Sequence, residues 1–485
     1  MRPQKMEKGS MTVFLALLLS LTVSLVCTGL QSVGLAAGRT QVLCGLDVGL
    51  YSLFGQYDRL LQEEYDLFAL DAGGEGGLDT EALCENMEAY IRPVLSQNSQ
   101  RLSLKSCGVE GCWLMTDDKG APFYRQVTQY MKETLGIQGV QLLLEKMQER
   151  QKKTAEAEAA GNQAEAGNAL ESYETEMTDA AKKSQEAQGD QESEAQTFSD
   201  GETLPAENPI PAIRRIRWMG LLELVLPPGK EVSQKGVSRG TLISDRDLCK
   251  GKPLSKPHQV DTGLLSQVLY QQYLMDRLGS YEKPGEGALS YQIEYILGGK
   301  KRDEDNLRAV ARRLLLVREG VNTAALAADS GKRAQTAALA AAIASGFLIP
   351  PAAGVIEAAL ILCWAFGESV LDVRELFAGG KVPLVKRPQD WQLALENLPY
   401  LLDRLDVDRR DCQEGMSYGD YLQVFLLAQG RERKVQRGLD MVETSIRGRE
   451  GWEDFRMDHC AAALEAVIQV ERGKKVLTAK REYCY

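Results

Sequence analysis

Lys8-Gly9-Ser10-Met11-Thr12-Val13-Phe14-Leu15, continued without a charged residue as far as Ala37, is the stretch that decides how this chain is laid out. As a helix, the run from Met11 to Ala37 rises roughly 40 Å at about 1.5 Å per residue, more than the ~30 Å hydrocarbon core of a bilayer. A secretory signal has a shorter apolar core followed by a small-residue cleavage site. Here the core is longer, and Gly34-Leu35-Ala36-Ala37 is a poor site of that kind. The expectation is a retained, single-pass transmembrane helix over residues 11–37. Arg2, Lys5 and Lys8 flank its N-terminal side. The positive-inside rule then makes residues 1–10 a cytoplasmic leader and puts the bulk of the chain outside the cell membrane.

The helical pattern continues past the apolar run. Leu43, Leu46, Leu50, Leu53, Tyr57 and Leu60 recur at alternating spacings of three and four, a narrow stripe of the coiled-coil kind. Anchor and stalk are therefore expected as one long helix ending near Asp66.

The 485 residues exceed one ordinary domain and can bury a sizeable core. A formal net charge of −11 argues against nucleic acid, which calls for a basic surface. Ten cysteines without a CxxC pair suggest neither a disulfide scaffold nor a zinc site, and two histidines leave little scope for imidazole chemistry.

Beyond the stalk, Asp79-Thr80-Glu81 reads as a helix start. Residues 101–105 and 113–115 read as a hairpin, with a helix from about Pro122 to Arg150 and breaks at Gly136 and Gly139. Residues 151–207 are rich in Ala, Glu, Gln, Gly and Ser with almost no large apolar side chain; they read as a disordered acidic insert. Leu221–Leu226 reads as a strand. A series of helices follows, at about 261–278, 288–297, 303–319, 323–346, 351–377, 389–403, 417–428 and 433–446. The chain closes on a β-hairpin over 463–470 and 475–483. The apolar run from Thr336 to Phe366 is split by Pro350-Pro351 into two pieces too short to span, so it reads as a buried helical hairpin.

The fold class expected is α+β, mainly helical: a long N-terminal helix, a helical outer body and a small antiparallel sheet. Residues 38–150 and 208–485 would be the two parts of one outer body, with the insert as an excursion from it.

No phosphate loop, dinucleotide fingerprint, zinc motif or nucleophile elbow is present, so neither enzymatic activity nor a cofactor is expected. His258 and His459 read as surface or core residues. Cys107 and Cys112 flank the expected hairpin turn and could bridge it in an oxidising space, or remain free thiols. Glu294 and Arg318 suggest a partly buried ion pair that fixes helix packing. In the apolar helix Ser20, Ser24, Thr28 and Ser32 recur every four residues, and Gly34 and Gly38 continue the small-residue theme. Such a face lets another membrane helix approach closely.

Residues Lys8 to Leu17 resemble the N-terminus of pilin-like proteins, in particular the TadE/TadG-like pseudopilins of the tight-adherence (Tad) pilus. In those, a short basic leader ends in Gly, and the next segment is both membrane anchor and assembly helix. The longer series resembles an uncharacterised family of Gram-positive bacteria often associated with such pili. It comprises Gly9–Phe14, Tyr57-Asp58, Tyr65–Asp71, Glu294–Gly298, Asn306-Leu307, Arg318–Asn322, Tyr418–Leu422 and Arg437–Asp440. The resemblance implies a leader-processing site between Gly9 and Ser10. It also implies a structural or accessory role beside pilus or envelope proteins, met through helix–helix contact in the membrane lipid. Processed pilins usually carry Glu five residues after the cut, where this chain has Phe14. An uncleaved accessory protein therefore fits the resemblance better than a major subunit. The alternative expectation is a pilus-independent surface binding module, with an ectoenzyme as a less favoured third.

Overall fold

Val42, Leu46, Leu50 and Leu53 are buried, which identifies where the N-terminal helix meets the rest of its own chain. The computed structural model describes residues 8–74, 77–97, 102–163, 172–175, 178–179, 208–238, 240–347, 349–405 and 415–485. Two compact units divide the chain. One comprises residues 1–130, 246–261 and 449–485, the other residues 131–245 and 262–448. Both take segments from either side of residues 151–207. Residues 151–163 continue a helix; most of the remaining acidic stretch, like Arg2 and Lys5, lies outside the described residues.

In the first unit, helix α1 runs from Lys8 to Phe54 and α2 from Arg59 to Tyr65. The expected single helix to Asp66 is interrupted after Phe54. The Asp58 carboxylate accepts from the Leu61 amide at 2.9 Å and caps α2, an arrangement that competes with helix continuation. Short strands β1 (Leu70–Asp71), β2 (Gly73–Gly74) and β3 (Gly77–Leu78) follow. Helix α3 (Thr80–Ser96) then starts at Asp79, whose carboxylate accepts from Ala82 N–H at 2.9 Å.

Residues 102–114 form one strand, β4, and not a hairpin. Its partner is distant in sequence. Helix α4 (Asp117–Gln163) begins in this unit and takes a left-handed residue at Gly136 (φ +63°), one of the two expected break points. The C-terminal hairpin forms as expected, from β5 (Cys460–Arg472) and β6 (Lys475–Cys484). Strand β5 is central and all pairings are antiparallel. It takes β4 on one edge, and β6 and then β1 along the other.

Helices α1 and α3 cover one face of this sheet. Leu46, Leu50, Met87, Ile91, Leu464, Ala466, Ile468 and Val470 share the core between them. The three-and-four stripe is thus consumed inside the chain and makes no coiled-coil seam. The two helices meet closely at Gly49, where an added Cβ would stand 2.6 Å from Ile91 Cγ1 and 2.9 Å from its Cδ1. Gly49→Val is expected to destabilise the first unit by about 2 kcal/mol through overpacking. The measurement is hydrogen-exchange protection of the β5 amides, and unchanged protection would show that α1 and α3 do not meet at this distance.

The second unit is helical: α5 (Ile210–Arg217), α6 (Leu221–Val225), α7 (Leu264–Arg277), α8 (Gln292–Gly298) and α9 (Asp303–Ala328), then α10 (Ser330–Gly346), α11 (Ala353–Phe377), α12 (Tyr418–Ala428) and α13 (Arg431–Arg447). Residues 221–225 are helical, not the expected strand. A short apolar run has no period that separates the two. Arg374 decides it by donating to the free carbonyls of Leu224 (3.1 Å) and Leu226 (2.6 Å) at the helix end. The run around Pro350-Pro351 forms a helical hairpin whose second limb is buried: the most apolar window of Pro350–Phe377 is 72% buried and α11 packs against α9 and α10, while the first limb, α10, keeps most of its residues exposed.

Candidate functional site

Every residue from Met11 to Val33 is exposed, around the whole circumference of α1. Met11 (73%), Leu21 (69%), Leu25 (73%) and Val33 (68%) show how little of this apolar surface the protein covers. A helix apolar on all sides and uncovered by protein is suited to lipid. This stretch is long enough for the purpose, roughly 35 Å at about 1.5 Å per residue. The α1 helix is therefore long and apolar enough to cross a membrane, a property shared with signal sequences.

The small residues of α1 divide into two groups. Ser20, Ser24, Thr28 and Ser32 are exposed. The Ser20 and Thr28 hydroxyls donate to the carbonyls of Leu17 (2.8 Å) and Ser24 (2.6 Å), so they are satisfied within the helix. Gly38 is buried and Gly34 half-buried, with the Arg472 guanidinium against Gly34. Only the serine and threonine part of the expected packing face is therefore uncovered. Gly9 and Ser10 fall in the first turn of α1.

A cavity of about 770 Å³ lies in the first unit, between the β2–β3 glycines, residues 247–249 and residues 454–460 that lead into β5. Asp71, Asp247, Asp454, Asp458, Arg456, His459 and Cys249 line it. Asp458 is held internally: its carboxylate takes Arg246 at 2.5 Å and the Cys249 amide at 2.9 Å. Burial opposes its ionisation, but these two donors outweigh burial and hold the carboxyl below its usual range. Among the described residues, no group of three or more His, Cys, Asp or Glu side chains is placed to hold a metal ion. His258 lies elsewhere, stacked on Trp113 and bonded through Nε2 to Glu482 at 2.5 Å.

Cys107 and Cys112 are free thiols on the same strand. Five positions of extended chain separate them by about 16 Å, beyond the ~7 Å between Cα atoms that a disulfide tolerates. The expected bridge required a turn that β4 does not make. Cys107 instead packs with Cys84 of α3 against the same core. The interaction between the two thiols lowers Cys84 to about 7 and, with burial, pushes Cys107 up. Alkylation of Cys84 by iodoacetamide, followed by peptide mapping, is expected to rise with a midpoint near pH 7. Cys107→Ala should move the midpoint up towards the ordinary ~8.5 of a free thiol. An identical profile in the variant would show that the two sulfurs do not interact.

Glu294 and Arg318 do not pair. They sit in separate buried networks of the second unit, because each finds nearer partners. Glu294 accepts from the Tyr281 amide at 2.9 Å and the Tyr418 hydroxyl at 2.6 Å. Burial raises it to about 7, against these two bonds, which lower it. A carboxyl whose folded pKa lies above its unfolded one loses stability as pH rises between the two values, here from about 4.5 to about 7. Glu294→Gln is expected to remove that loss, on the order of 3 kcal/mol across the window. Urea titrations at pH 5 and pH 7.5 would measure it; equal pH slopes for variant and parent would refute the assignment.

Arg318 binds Asp372 of α11 through Nε (3.0 Å) and Nη2 (2.9 Å). It also reaches the carbonyls of Pro383 (2.9 Å) and Leu384 (3.0 Å). Asn322 donates to the same Asp372 oxygen at 2.9 Å. Lys386 stands 2.5 Å from the other Asp372 oxygen and also pairs with Glu368, which accepts the amides of Gln392 (3.0 Å) and Leu393 (2.8 Å). Arg318, Lys386, Asp372 and Glu368 are all buried, two cations against two anions. Sequence reasoning missed Glu368, Asp372 and Lys386. The available signal was a pair of carboxylates one helical turn apart in a mainly apolar helix, a spacing that puts both on one face.

These networks hold helices together and present no reacting group to solvent. No curated protein and no solved structure matches the chain. One family does, over residues 199–472. That range takes in Glu294–Gly298, Arg318–Asn322, Tyr418–Leu422 and Arg437–Asp440, and leaves out Gly9–Phe14 and Tyr65–Asp71. With more than half of its length matched, the chain belongs to the family of unknown function DUF5702.

Proposed function

We propose that this protein is a single-pass, membrane-anchored, pseudopilin-like envelope protein with a structural or accessory role in assembling or anchoring a Tad-type pilus. The observation that carries the anchor is the exposure of α1 on all sides from Met11 to Val33, followed by burial of one face of the same helix from Gly38 onward. A soluble protein exposing that much apolar surface would aggregate. With the N-terminus cytoplasmic, the chain beyond the anchor lies outside the membrane. The pilus role is supported by the resemblance of Lys8 to Leu17 to TadE/TadG-like leaders, and its partners would be pilus or envelope proteins rather than nucleic acid.

The deciding experiment is the N-terminal residue of the mature chain in membranes, combined with protease treatment of intact cells. Met1 with digestion of both units is the expected result. Ser10 would indicate pilin-type maturation, and a start near Ala37 would remove the anchor. Co-purification with pilus inner-membrane components supports the pilus role; unchanged piliation after loss of the gene would overturn it. The cavity lined by Asp71, Asp247 and His459 favours a second reading, a surface binding module. A ligand retained by the full chain but lost on substituting Asp247 would favour that reading.

A further inference from the structure

Where α1 leaves the body, Arg472 stands against Gly34 and Leu35 packs on the core. An added Cβ at Gly34 would stand 2.6 Å from Arg472 Nη2. Strand alternation explains why this arginine reaches the helix. Ile468 and Val470 point to the sheet face that α1 covers, and Arg472 continues the same parity at the strand end. It is therefore the last side chain of the core face, and it is a cation where its predecessors are apolar.

Below this contact α1 is apolar and exposed on every side; above it one face of the helix is covered by protein. If α1 spans the membrane, Gly34 lies at the boundary between acyl chains and headgroups. The turn that follows Arg472 carries Lys474 and Lys475, both exposed, and Lys475 is paired in register with Arg472. Arg39, one turn further up α1, is also exposed. The nearest carboxylate on β5, Glu471, is neutralised by Lys105 at 3.0 Å. Val476, 56% exposed, adds an apolar side chain to the same hairpin tip.

We propose that Arg472, Lys474 and Lys475, with Arg39, form a cationic collar around the emerging α1 that binds the phosphates of anionic phospholipids in the same membrane. A phosphate binds such a collar because guanidinium and ammonium groups supply charge-assisted donors at headgroup depth. The long side chains place their charges in the headgroup layer while their stems lie along apolar surface. Phosphatidylglycerol supplies the required net charge and phosphatidylcholine does not. The collar fixes the depth and tilt of the first unit, because it joins the sheet to the lipid surface at a point away from the helix axis. The proposal rests on α1 being a membrane anchor.

The test uses the full chain reconstituted in vesicles of equal phosphatidylglycerol and phosphatidylcholine, floated, extracted in mild detergent and weighed by native mass spectrometry with its retained lipid. Wild type is expected to retain phosphatidylglycerol over phosphatidylcholine, a preference that falls with added salt. Lys474→Gln with Lys475→Gln should cut the preference roughly fivefold for each cation removed. These two side chains are exposed, so their replacement leaves the core intact; adding Arg472→Gln should abolish the preference. Flotation with equal retention of both lipids, or a preference unchanged in the variants, would overturn the collar while leaving the anchor standing. Failure to float with either lipid would overturn the anchor and the collar together.

Discussion

Asp372→Ala is expected to cost about 3–5 kcal/mol, the penalty for breaking a buried pair and leaving its partners uncompensated. The carboxylate faces two buried cations, Arg318 through one oxygen and Lys386 through the other. Burial alone would raise its pKa, but Lys386 and Arg318 outweigh burial, and the group stays ionised below the usual carboxylate range. Removing it leaves Lys386 with Glu368, and Arg318 with carbonyls and a tyrosine hydroxyl but no counter-charge. The loss joins the cavity left between α9 and α11. Urea denaturation followed by exchange protection of the α9 amides measures the effect. The double variant Arg318→Met with Asp372→Leu separates the two contributions: apolar replacement of both partners should recover more than half of the loss. A cost below about 1 kcal/mol for Asp372→Ala would mean that solvent reaches the cluster and screens it.

The second large effect concerns the proposed anchor. Leu21→Arg with Leu25→Arg places two guanidinium groups near the middle of the exposed apolar stretch. Each arginine at the centre of a membrane helix costs about 2.5–3.5 kcal/mol on insertion scales, so the pair costs roughly 6 kcal/mol. That corresponds to about a ten-thousandfold loss in partition, at 1.4 kcal/mol per factor of ten. The variant should disappear from the carbonate-resistant membrane fraction, with the α1–α3 contact near Gly49 unaffected because it lies in the covered part of the same helix. Retention of the doubly charged chain in that fraction would show that another element holds the protein to the membrane. The buried α11 would be the first to examine, since it is the other helix apolar enough to span.

Two expectations failed for related reasons. The strand at 102–114 was divisible into two apolar pieces, and a hairpin needs only local turns. Its true partner, β5, lies more than three hundred residues later, with Leu104 opposite Val470 and Trp113 opposite Ala463. No local spacing could point to that pairing, and the Cys107–Cys112 bridge failed with the hairpin. Glu294 and Arg318 failed similarly. Each was recognisable as an ionisable residue in a helical setting, but the choice between Arg318, Tyr418 and Asp372 as partners depends on which helices cross. Glu368 and Asp372 were discernible in an apolar helix, and their spacing announced a buried polar face without naming what it would meet.

Local chemistry in the chain determined the elements themselves: the apolar span of α1, the Asp79 cap of α3, the helical hairpin around Pro350-Pro351 and the closing β-hairpin. Periodicity, capping and hydropathy act over a few residues, and those forces are written where they act. The tertiary structure alone decided that the stalk stripe packs on the chain's own sheet, that β5 is central, that the body is two discontinuous units, and that the buried charges group as Arg318, Lys386, Asp372 and Glu368. Each of these depends on side chains brought together by burial of non-local surface, and the free energy of that burial belongs to the packed pair rather than to either segment.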